Sequence, residues 1–360
     1  MILAMSSHPQ FAQTEQIPAV YPPQDPPPSH GRPKKKWGKG KRITLIVVLV
    51  LVVLLGAGSL AGGLYLHNIE SGIDRVDAFN QVPEASRPTK VVQDAQNILL
   101  LGSDSRDPDN TAGSRSDTII VAHLTKDKTS AQLISIPRDT WLHIPKAADG
   151  KHGDADAKIN ASYAWGGIPL VVQTVESFTG VRMDHVAIID FAGFQQIIDA
   201  LGGIDVNIEK NFTSIHPPFR KFVKGMQHLD GAEALDYSRQ RHQFADGDFA
   251  RIRHQQDVIK AILDKASSGG LLTNPGKLNA FLKGAANAVS VDKTMAILDL
   301  GSQLRHLRSG NLTFVTNPSK GTGNVSGQSV VFADKTKDKA LWTAVQNDSV
   351  PDILKNAAAK

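Results

Sequence analysis

The sequence predicts an α/β domain in which helices flank a mixed central β-sheet, preceded by one N-terminal transmembrane helix. Between residues 95 and 348, short apolar stretches bounded by turn residues alternate with amphipathic helical patterns. Residues 43–66 contain no charged side chain over 24 positions. The chain has 360 residues, of which 41% are hydrophobic, and this is enough for a substantial core. It has no cysteine, so disulfides are excluded.

The first 42 residues have a composition that cannot form a core. Prolines dominate residues 21–28, and residues 1–42 hold seven Lys and Arg against two Asp and Glu. We therefore expect a disordered, basic cytoplasmic arm. The rest of the chain holds 33 basic and 33 acidic side chains, so the formal charge of +5 belongs to the arm. This balance argues against nucleic acid as a partner of the folded domain.

Residues 43–66 are predicted to span a membrane once. As a helix they would be about 36 Å long, which suffices to cross a bilayer. The stretch is too long for the core of a signal peptide, and the alternative is a buried core helix. Basic residues precede it, so the N-terminus should be cytoplasmic and the rest extracytoplasmic. We expect a cell-membrane protein with a linker or stalk at 67–94, a folded domain at 95–348 and a tail at 349–360.

The folded domain is predicted to begin with three apolar strands. If these strands are antiparallel neighbours, the end of the first, the start of the second and the end of the third share one sheet edge. A helix with Pro169 near its start follows, and near its beginning Asn160 and Tyr163 could be ligands, although first-turn packing is the favoured role. The expected elements are strands at 97–102, 118–124, 131–136, 185–190, 204–208 and 311–316, helices at 191–201, within 265–307 and at 335–346, and a loop at 321–327.

The shared sheet edge collects charged residues. Arg115 and Asp117 are two residues apart, so they project from the same strand face. Asp104 and Asp117 could share Mg²⁺, which usually takes one or two protein carboxylates together with phosphate and water. Alternatively, Asp104 caps its own turn and Asp117 pairs with Arg115. The residues expected along this edge are Asp104, Arg106, Arg115, Asp117 and Arg138.

Residues 236–256 concentrate four arginines, three acidic residues and a glycine turn in 21 positions. Asp230 is predicted to cap a helical turn that runs to Tyr237, and Asp248 a longer helix from Phe249. Arg239 and Arg241 could point the same way if the chain is extended after Tyr237.

On the longer helix, the spacing predicts a polar side and a separate core-facing side. The polar side would bind phosphate oxygens through the two-pronged guanidinium contact. The alternative is a solvated charge run paired with its own aspartates. The polar side holds Asp248, Arg251 and Gln255, and the core side Ile252, Ile259, Leu263 and Ala266.

Several motifs, in this order, resemble the LytR-CpsA-Psr family, the extracytoplasmic cell-wall phosphotransferases of Gram-positive bacteria. One departure from the family pattern is His254, where many members have another arginine. The motifs are NILLLGSDSR at 97–106, RSDT at 115–118, SIPRD at 135–139, KINA at 158–161, LDGA at 229–232, YSRQR at 237–241 and GDFAR at 247–251.

This resemblance implies a magnesium-dependent enzyme that moves a glycopolymer with its phosphate from polyprenyl pyrophosphate to a sugar hydroxyl of peptidoglycan. It implies Mg²⁺ on Asp104 and Asp117, and an apolar tunnel that the helices after Gly167 and Phe191 could line. Asp248 is the nearest candidate for the catalytic base. The alternatives are a polyprenyl-pyrophosphate hydrolase using the same site and a non-enzymatic, membrane-anchored regulator that binds wall polymers. The residues expected to hold the pyrophosphate are Arg115, Arg138, Arg239, Arg241 and Arg251, with Gln255 assisting.

Overall fold

The structure is a computed structural model and describes residues 73–103, 116–267, 274–296 and 311–351. The predicted arm and the predicted span at 43–66 lie outside these residues, as do Asp104, Arg106 and Arg115. Within the described ranges, no helix combines the length and apolarity that crossing a membrane requires.

The described residues form an α/β domain. In chain order its elements are β1 (Asp74–Val76), β2 (Gln96–Ser103), β3 (Ser116–Leu124), β4 (Ala131–Ser135), β5 (Trp141–Ile144), β6 (Ala155–Lys158), α1 (Ala161–Thr179), β7 (His185–Asp190), α2 (Phe191–Ala200), β8 (Ile204–Ile208), β9 (Phe212–Thr213), β10 (Lys221–Phe222), β11 (Gly225–Leu229), α3 (Gly231–Arg239), α4 (Asp248–Ser267), α5 (Pro275–Ala288), β12 (Val289–Asp292), β13 (Leu312–Thr316), β14 (Ser319–Val325), β15 (Gln328–Ala333) and α6 (Lys335–Gln346).

Seven of the strands form a mixed central sheet in the order β1-β12-β7-β2-β3-β4-β13. The predicted antiparallel arrangement of β2, β3 and β4 is confirmed. β7 runs parallel to β2, and β13 runs parallel to β4. Ser103 lies opposite Ser116, and Ile120 lies opposite Ser135, so the three strands do share the predicted edge.

Helices cover both faces of this sheet, which explains why its inner strands are apolar on both sides. Successive side chains of β2 alternate between the faces. Ile98 and Leu100 face the core that includes residues of α2 to α5, whereas Leu99 and Leu101 face the core that includes residues of α1 and α6. The architecture is therefore three-layered, with the sheet in the middle.

Residues 73–94, which are part of the predicted linker or stalk at 67–94, belong to the folded domain. β1 pairs in parallel with β12, and Val76 is buried. Arg87 anchors the following stretch, because its Nη2 donates to Glu176 Oε1 at 2.7 Å and to the Met183 carbonyl at 2.6 Å. Isolated apolar residues, ion pairs and the pairing of β1 hold this segment, so it carries no hydrophobic periodicity.

Two later segments also differ from the prediction. The region expected to be helical contains β12, which follows α5 immediately with no turn residue between them. Residues 321–327, expected to be a loop, belong largely to the β14–β15 hairpin. β14 has little apolar character, and a Cβ at Gly323 would lie 2.4 Å from the Phe332 ring. Close packing against that ring requires a residue without a side chain at position 323. In the sequence, however, a glycine favours the prediction of a loop.

Helix α6 carries a buried carboxyl group whose ionisation should make stability depend on pH. Asp338 is 6% exposed and accepts a hydrogen bond from Asn317 Nδ2 at 3.0 Å. Burial raises the pKa of Asp338 to about 6, and the bond from Asn317 opposes this only in part. Its contribution to stability is therefore fully present below the unfolded-state pKa of about 4 and is lost as pH rises through about 6.

We expect Asp338→Asn to raise the free energy of unfolding at pH 7.5 by about 1–3 kcal/mol, because the folded protein no longer buries a charge. At pH 4 the two proteins should differ much less. Urea unfolding of detergent-solubilised protein at both pH values measures this difference. An equal effect at the two pH values would contradict ionisation of Asp338 as the cause.

Candidate active site

An apolar cavity of about 370 Å³ lies between the central sheet and helices α2, α3 and α4. Leu100, Ile120 and Leu133 line it from the sheet, and Phe194 and Leu235 from the helices. Charged and polar side chains line the same cavity. They include Asp117, Arg138, Arg239, Arg241, Arg251 and Gln255.

This apolar cavity corresponds to the tunnel expected beside the sheet, although one of the two helices that line it differs from the prediction. The helix after Phe191 lines the cavity as expected. The helix after Gly167 packs on the opposite face of the sheet, where Ile168 and Val171 join the second core. Helices α3 and α4 line the cavity instead of that helix.

Helix α4 presents one continuous stripe to this cavity. Arg251, Gln255, Ile259 and Leu263 all line it and recur every four residues, so they lie one above the other on the helix. The prediction that Ile259 and Leu263 face a different side from Arg251 and Gln255 is thus wrong. Along the stripe the chemistry changes from charged to apolar, as an amphiphilic ligand would require.

Helix α3 places two more arginines at the cavity. Asp230 caps this helix in a capping box with Glu233, as predicted. The helix continues to Arg239, two residues beyond the predicted end at Tyr237, and the extended residue Gln240 follows. Arg239 and Arg241 therefore both line the cavity, from the last helical turn and from the loop after it.

Arg239 differs from the other arginines in its surroundings. Its guanidinium carbon lies 4.8 Å from the centroid of the Phe191 ring. In the part of the chain that the structure describes, no carboxylate lies within ion-pair distance of it. Among the described arginines of the cavity, it is the one most available to an incoming anion.

Asp248 lies at the centre of the remaining arginines. Its Oδ1 is 2.6 Å from Arg251 Nη2 and 4.0 Å from both Arg138 Nε and Arg241 Nη1. Helix α4 begins at Asp248, and neither carboxylate oxygen accepts a hydrogen bond from the helix backbone. The predicted role of Asp248 as a side-chain cap is therefore wrong, and its carboxylate faces the arginines.

Burial shifts the proton affinities in this cluster. Burial raises the pKa of Asp248, although the Arg251 guanidinium opposes the shift. Burial lowers the pKa of Arg251, against the attraction of Asp248. At Arg138 burial is outweighed by the carboxylates of Asp117 and Asp139, which raise its pKa. A buried carboxylate with increased proton affinity among fixed cations is suited to accept a proton.

Asp117 lies at the start of β3, and Arg138 donates a short hydrogen bond to it. The shared edge thus brings Asp117 and Arg138 together, and Asp117 pairs with Arg138. Within the described ranges, no three or more His, Asp or Glu side chains form a group that could hold a metal ion. A carboxylate at a cavity wall fits Mg²⁺ held by one or two aspartates and completed by water and phosphate.

A polar groove of about 1030 Å³ adjoins the apolar cavity, and the two share Arg138, Arg241 and His242. Trp141 and Trp165 line the groove. Indole rings combine an apolar face with a polar edge, and both features suit a sugar ring.

Two charged residues of this groove, Asp139 and Lys158, were given no role in the sequence analysis. The carboxylate of Asp139 lies 3.2 Å from Lys158 Nζ and 3.7 Å from Arg241 Nη1. Asp139 belongs to the motif SIPRD and Lys158 to the motif KINA, and both motifs carry the family resemblance. Membership of these motifs is the sequence signal that could have identified them. Asn160 also lines the groove, whereas Tyr163 is fully buried in the core.

The two histidines near the arginines have different surroundings. His242 is exposed and lines both cavities. His254 is buried among Phe212, Tyr237 and Phe244, and burial lowers its pKa to about 4. His254 is therefore a neutral core residue at pH 7.

The chain is similar to known proteins in sequence and in fold. The sequence profile of the LytR_cpsA_psr family matches residues 67–347. The chain is 30% identical over 349 residues to the cell wall biosynthesis protein LcpA of Corynebacterium glutamicum, covering 86% of this chain. It spans 65% of the length of LcpA.

A second relative is the polyisoprenyl-teichoic acid–peptidoglycan teichoic acid transferase TagU of Bacillus anthracis. The chain is 35% identical to it over 266 residues, covering 70% of this chain and 81% of TagU. Among solved structures, that of B. subtilis TagV is similar with a TM-score of 0.58 at 28% identity, covering 71% of this chain and 98% of TagV.

Proposed function

The chain belongs to the LytR_cpsA_psr family, and we propose that it is a phosphotransferase that attaches a glycopolymer to peptidoglycan. Its donor would be a glycopolymer on polyprenyl pyrophosphate, and its acceptor a sugar hydroxyl of peptidoglycan. One observation carries the proposal: an apolar cavity and a polar groove meet at Arg138 and Arg241. This arrangement suits a lipid on one side, an anion in the middle and sugars on the other side.

The proposed reaction is a phosphoryl transfer between these two sides. The acceptor oxygen bonds to the phosphorus that carries the glycan, and the bond from that phosphorus to the bridging pyrophosphate oxygen breaks. Polyprenyl phosphate leaves with the bridging oxygen, and a phosphodiester joins the two glycans. Asp248 would take the proton of the acceptor hydroxyl. Phosphoryl transfer depends mainly on positioning and charge neutralisation, which the arginines supply.

Five arginines and one glutamine would bind the pyrophosphate. Asp104 and Asp117 would hold Mg²⁺, which would supply further positive charge to the phosphate oxygens when bound. The proposed pyrophosphate ligands are Arg115, Arg138, Arg239, Arg241, Arg251 and Gln255.

Product analysis tests the reaction. The full chain in detergent micelles would receive a synthetic glycan on polyprenyl pyrophosphate, with and without a peptidoglycan oligosaccharide. We expect polyprenyl phosphate and a phosphodiester-linked product only when the acceptor is present. Acceptor-independent release of the glycan, as its phosphate or with the pyrophosphate left on the lipid, would identify a hydrolase. Binding of anionic wall polymer without any turnover would identify a regulator.

Residues 43–66 would anchor the enzyme beside its lipid donor, with the arm at 1–42 in the cytoplasm. The basic arm and the uncharged stretch support this proposal. We expect protease added to intact protoplasts to digest residues after Leu66. Full protection of the domain would contradict the proposed orientation.

We expect Asp117→Asn to lower transfer about tenfold or more and to remove its response to Mg²⁺, because the variant loses a charged oxygen ligand. Asp154→Asn is a matched control, since that side chain is 76% exposed. Rates across a magnesium titration, with melting temperatures, provide the readout. If Asp117→Asn unfolds the protein instead, the ion pair with Arg138 is structural and the metal assignment is wrong.

A further inference from the structure

Residues 210–229, here called the apolar-basic segment, leave large apolar side chains in solvent. They include β9, β10 and β11. Four of the six large hydrophobic side chains exposed within the described residues belong to this segment. They are Ile215 at 44%, Phe219 at 58%, Val223 at 55% and Met226 at 68% exposure. Exposed apolar clusters of this kind mark binding surfaces.

The charge of the segment is of one sign. Residues 210–229 contain four Lys and Arg and no Asp or Glu. Lys221 and Val223 flank the buried Phe222, and both side chains are exposed. Lys221 and Lys224 are exposed, whereas Arg220 lies 3.6 Å from Asp236 Oδ2. Apolar side chains beside solvent-exposed lysines complement an anionic lipid surface.

The base of the segment is fixed to the candidate active site. Ser214 Oγ donates to Asp236 Oδ1 at 2.7 Å, and the Ile215 amide donates to Gln240 Oε1 at 3.3 Å. Gln240 directly follows helix α3, which ends at Arg239. Ile215 is exposed and also lines the apolar cavity, so that cavity reaches the surface at this segment.

We propose that the apolar-basic segment inserts into the interfacial region of an anionic bilayer and holds the mouth of the apolar cavity against it. The proposal rests on the proposed function in one respect, since a membrane-borne lipid donor gives this contact its purpose. Chain length is compatible with the contact. Residues 67–72 separate the proposed span from the described domain and reach at most about 20 Å, which keeps the domain close to the bilayer.

Site-specific fluorescence tests the insertion without needing activity. The chain has no cysteine, so Phe219→Cys and Met226→Cys each allow attachment of a single environment-sensitive NBD dye. Val91→Cys is the matched control, because Val91 is 59% exposed and lies outside the segment. The full chain would be reconstituted into phosphatidylglycerol vesicles and into phosphatidylcholine vesicles. Circular dichroism would confirm folding of each labelled variant.

We expect blue-shifted emission, with quenching by lipids that carry a nitroxide near the headgroup, at positions 219 and 226 in phosphatidylglycerol. Position 91 should give water-like emission. Lys221→Gln and Lys224→Gln should each lower the inserted fraction roughly fivefold. Water-like emission at both segment positions would overturn the proposal. An equal blue shift in phosphatidylcholine vesicles would also overturn it. So would a blue shift in detergent that grows with protein concentration, because that would indicate contact between copies of the chain.

Discussion

Replacing Arg251 with lysine should lower transfer to peptidoglycan about ten- to a hundredfold, since one charge-assisted contact contributes about 1.5–3 kcal/mol. The Arg251 side chain is 4% exposed and lies 2.6 Å from Asp248. Lysine keeps the positive charge but loses the planar, two-pronged group that binds phosphate oxygens. Initial rates with a synthetic polyprenyl-pyrophosphate donor measure the loss.

Arg253 provides the matched control on the same helix. Its side chain is 45% exposed, it pairs with Asp246, and it lies 3.7 Å from Glu209. It does not line the apolar cavity. Arg253→Lys should therefore retain near-normal transfer. Equal losses in the two variants, measured on protein with unchanged melting temperature, would mean that the charge of this stretch acts diffusely.

Asp248→Asn should lower kcat/KM by about 10²- to 10³-fold, within the range for loss of a general base. Burial raises the pKa of Asp248, so its basic form is lost at a higher pH than for an ordinary aspartate as the solution is acidified. The pH profile of the wild-type rate should therefore have an acidic limb, in which the rate falls as Asp248 is protonated. The profile of the asparagine variant should lack that acidic limb.

Asp139→Asn is the comparison for Asp248, because Asp139 contacts Arg241 in the same cluster from 3.7 Å. It should keep the acidic limb even if its rate is lower. An unchanged limb in Asp248→Asn would assign the base to another group. The Asp248→Asn change would also leave Arg251 without its buried charged partner, so unfolding measurements must accompany the rates.

Local signals explain what could be predicted from the sequence. β2, β3 and β4 are apolar runs bounded by turn residues, and their adjacency along the chain favours antiparallel pairing. That pairing alone brings Asp117 and Arg138 to one edge. The arginines at 239, 241 and 251 were recognisable because no ordinary core contains so many charges.

Long-range packing explains what could not be predicted. β12 has only four residues, and its pairing with β1 and β7 joins segments more than 95 positions apart. The helical spacing predicted separate sides for Arg251 and Ile259, and it could not reveal that both line one cavity. The burial of Asp248, which gives it its proton affinity, depends on three segments that meet only in the folded chain.

The balance of charges around Asp248 has a consequence for how an anion would bind. Arg138, Arg241 and Arg251 face Asp117, Asp139 and Asp248, so these six groups nearly cancel. The protein itself provides the counterions of these three arginines. An entering pyrophosphate would replace these carboxylates with its own phosphate oxygens as partners of the three arginines, and would release few ions from solution. We therefore expect donor affinity to change little with ionic strength, unlike binding to an open basic surface.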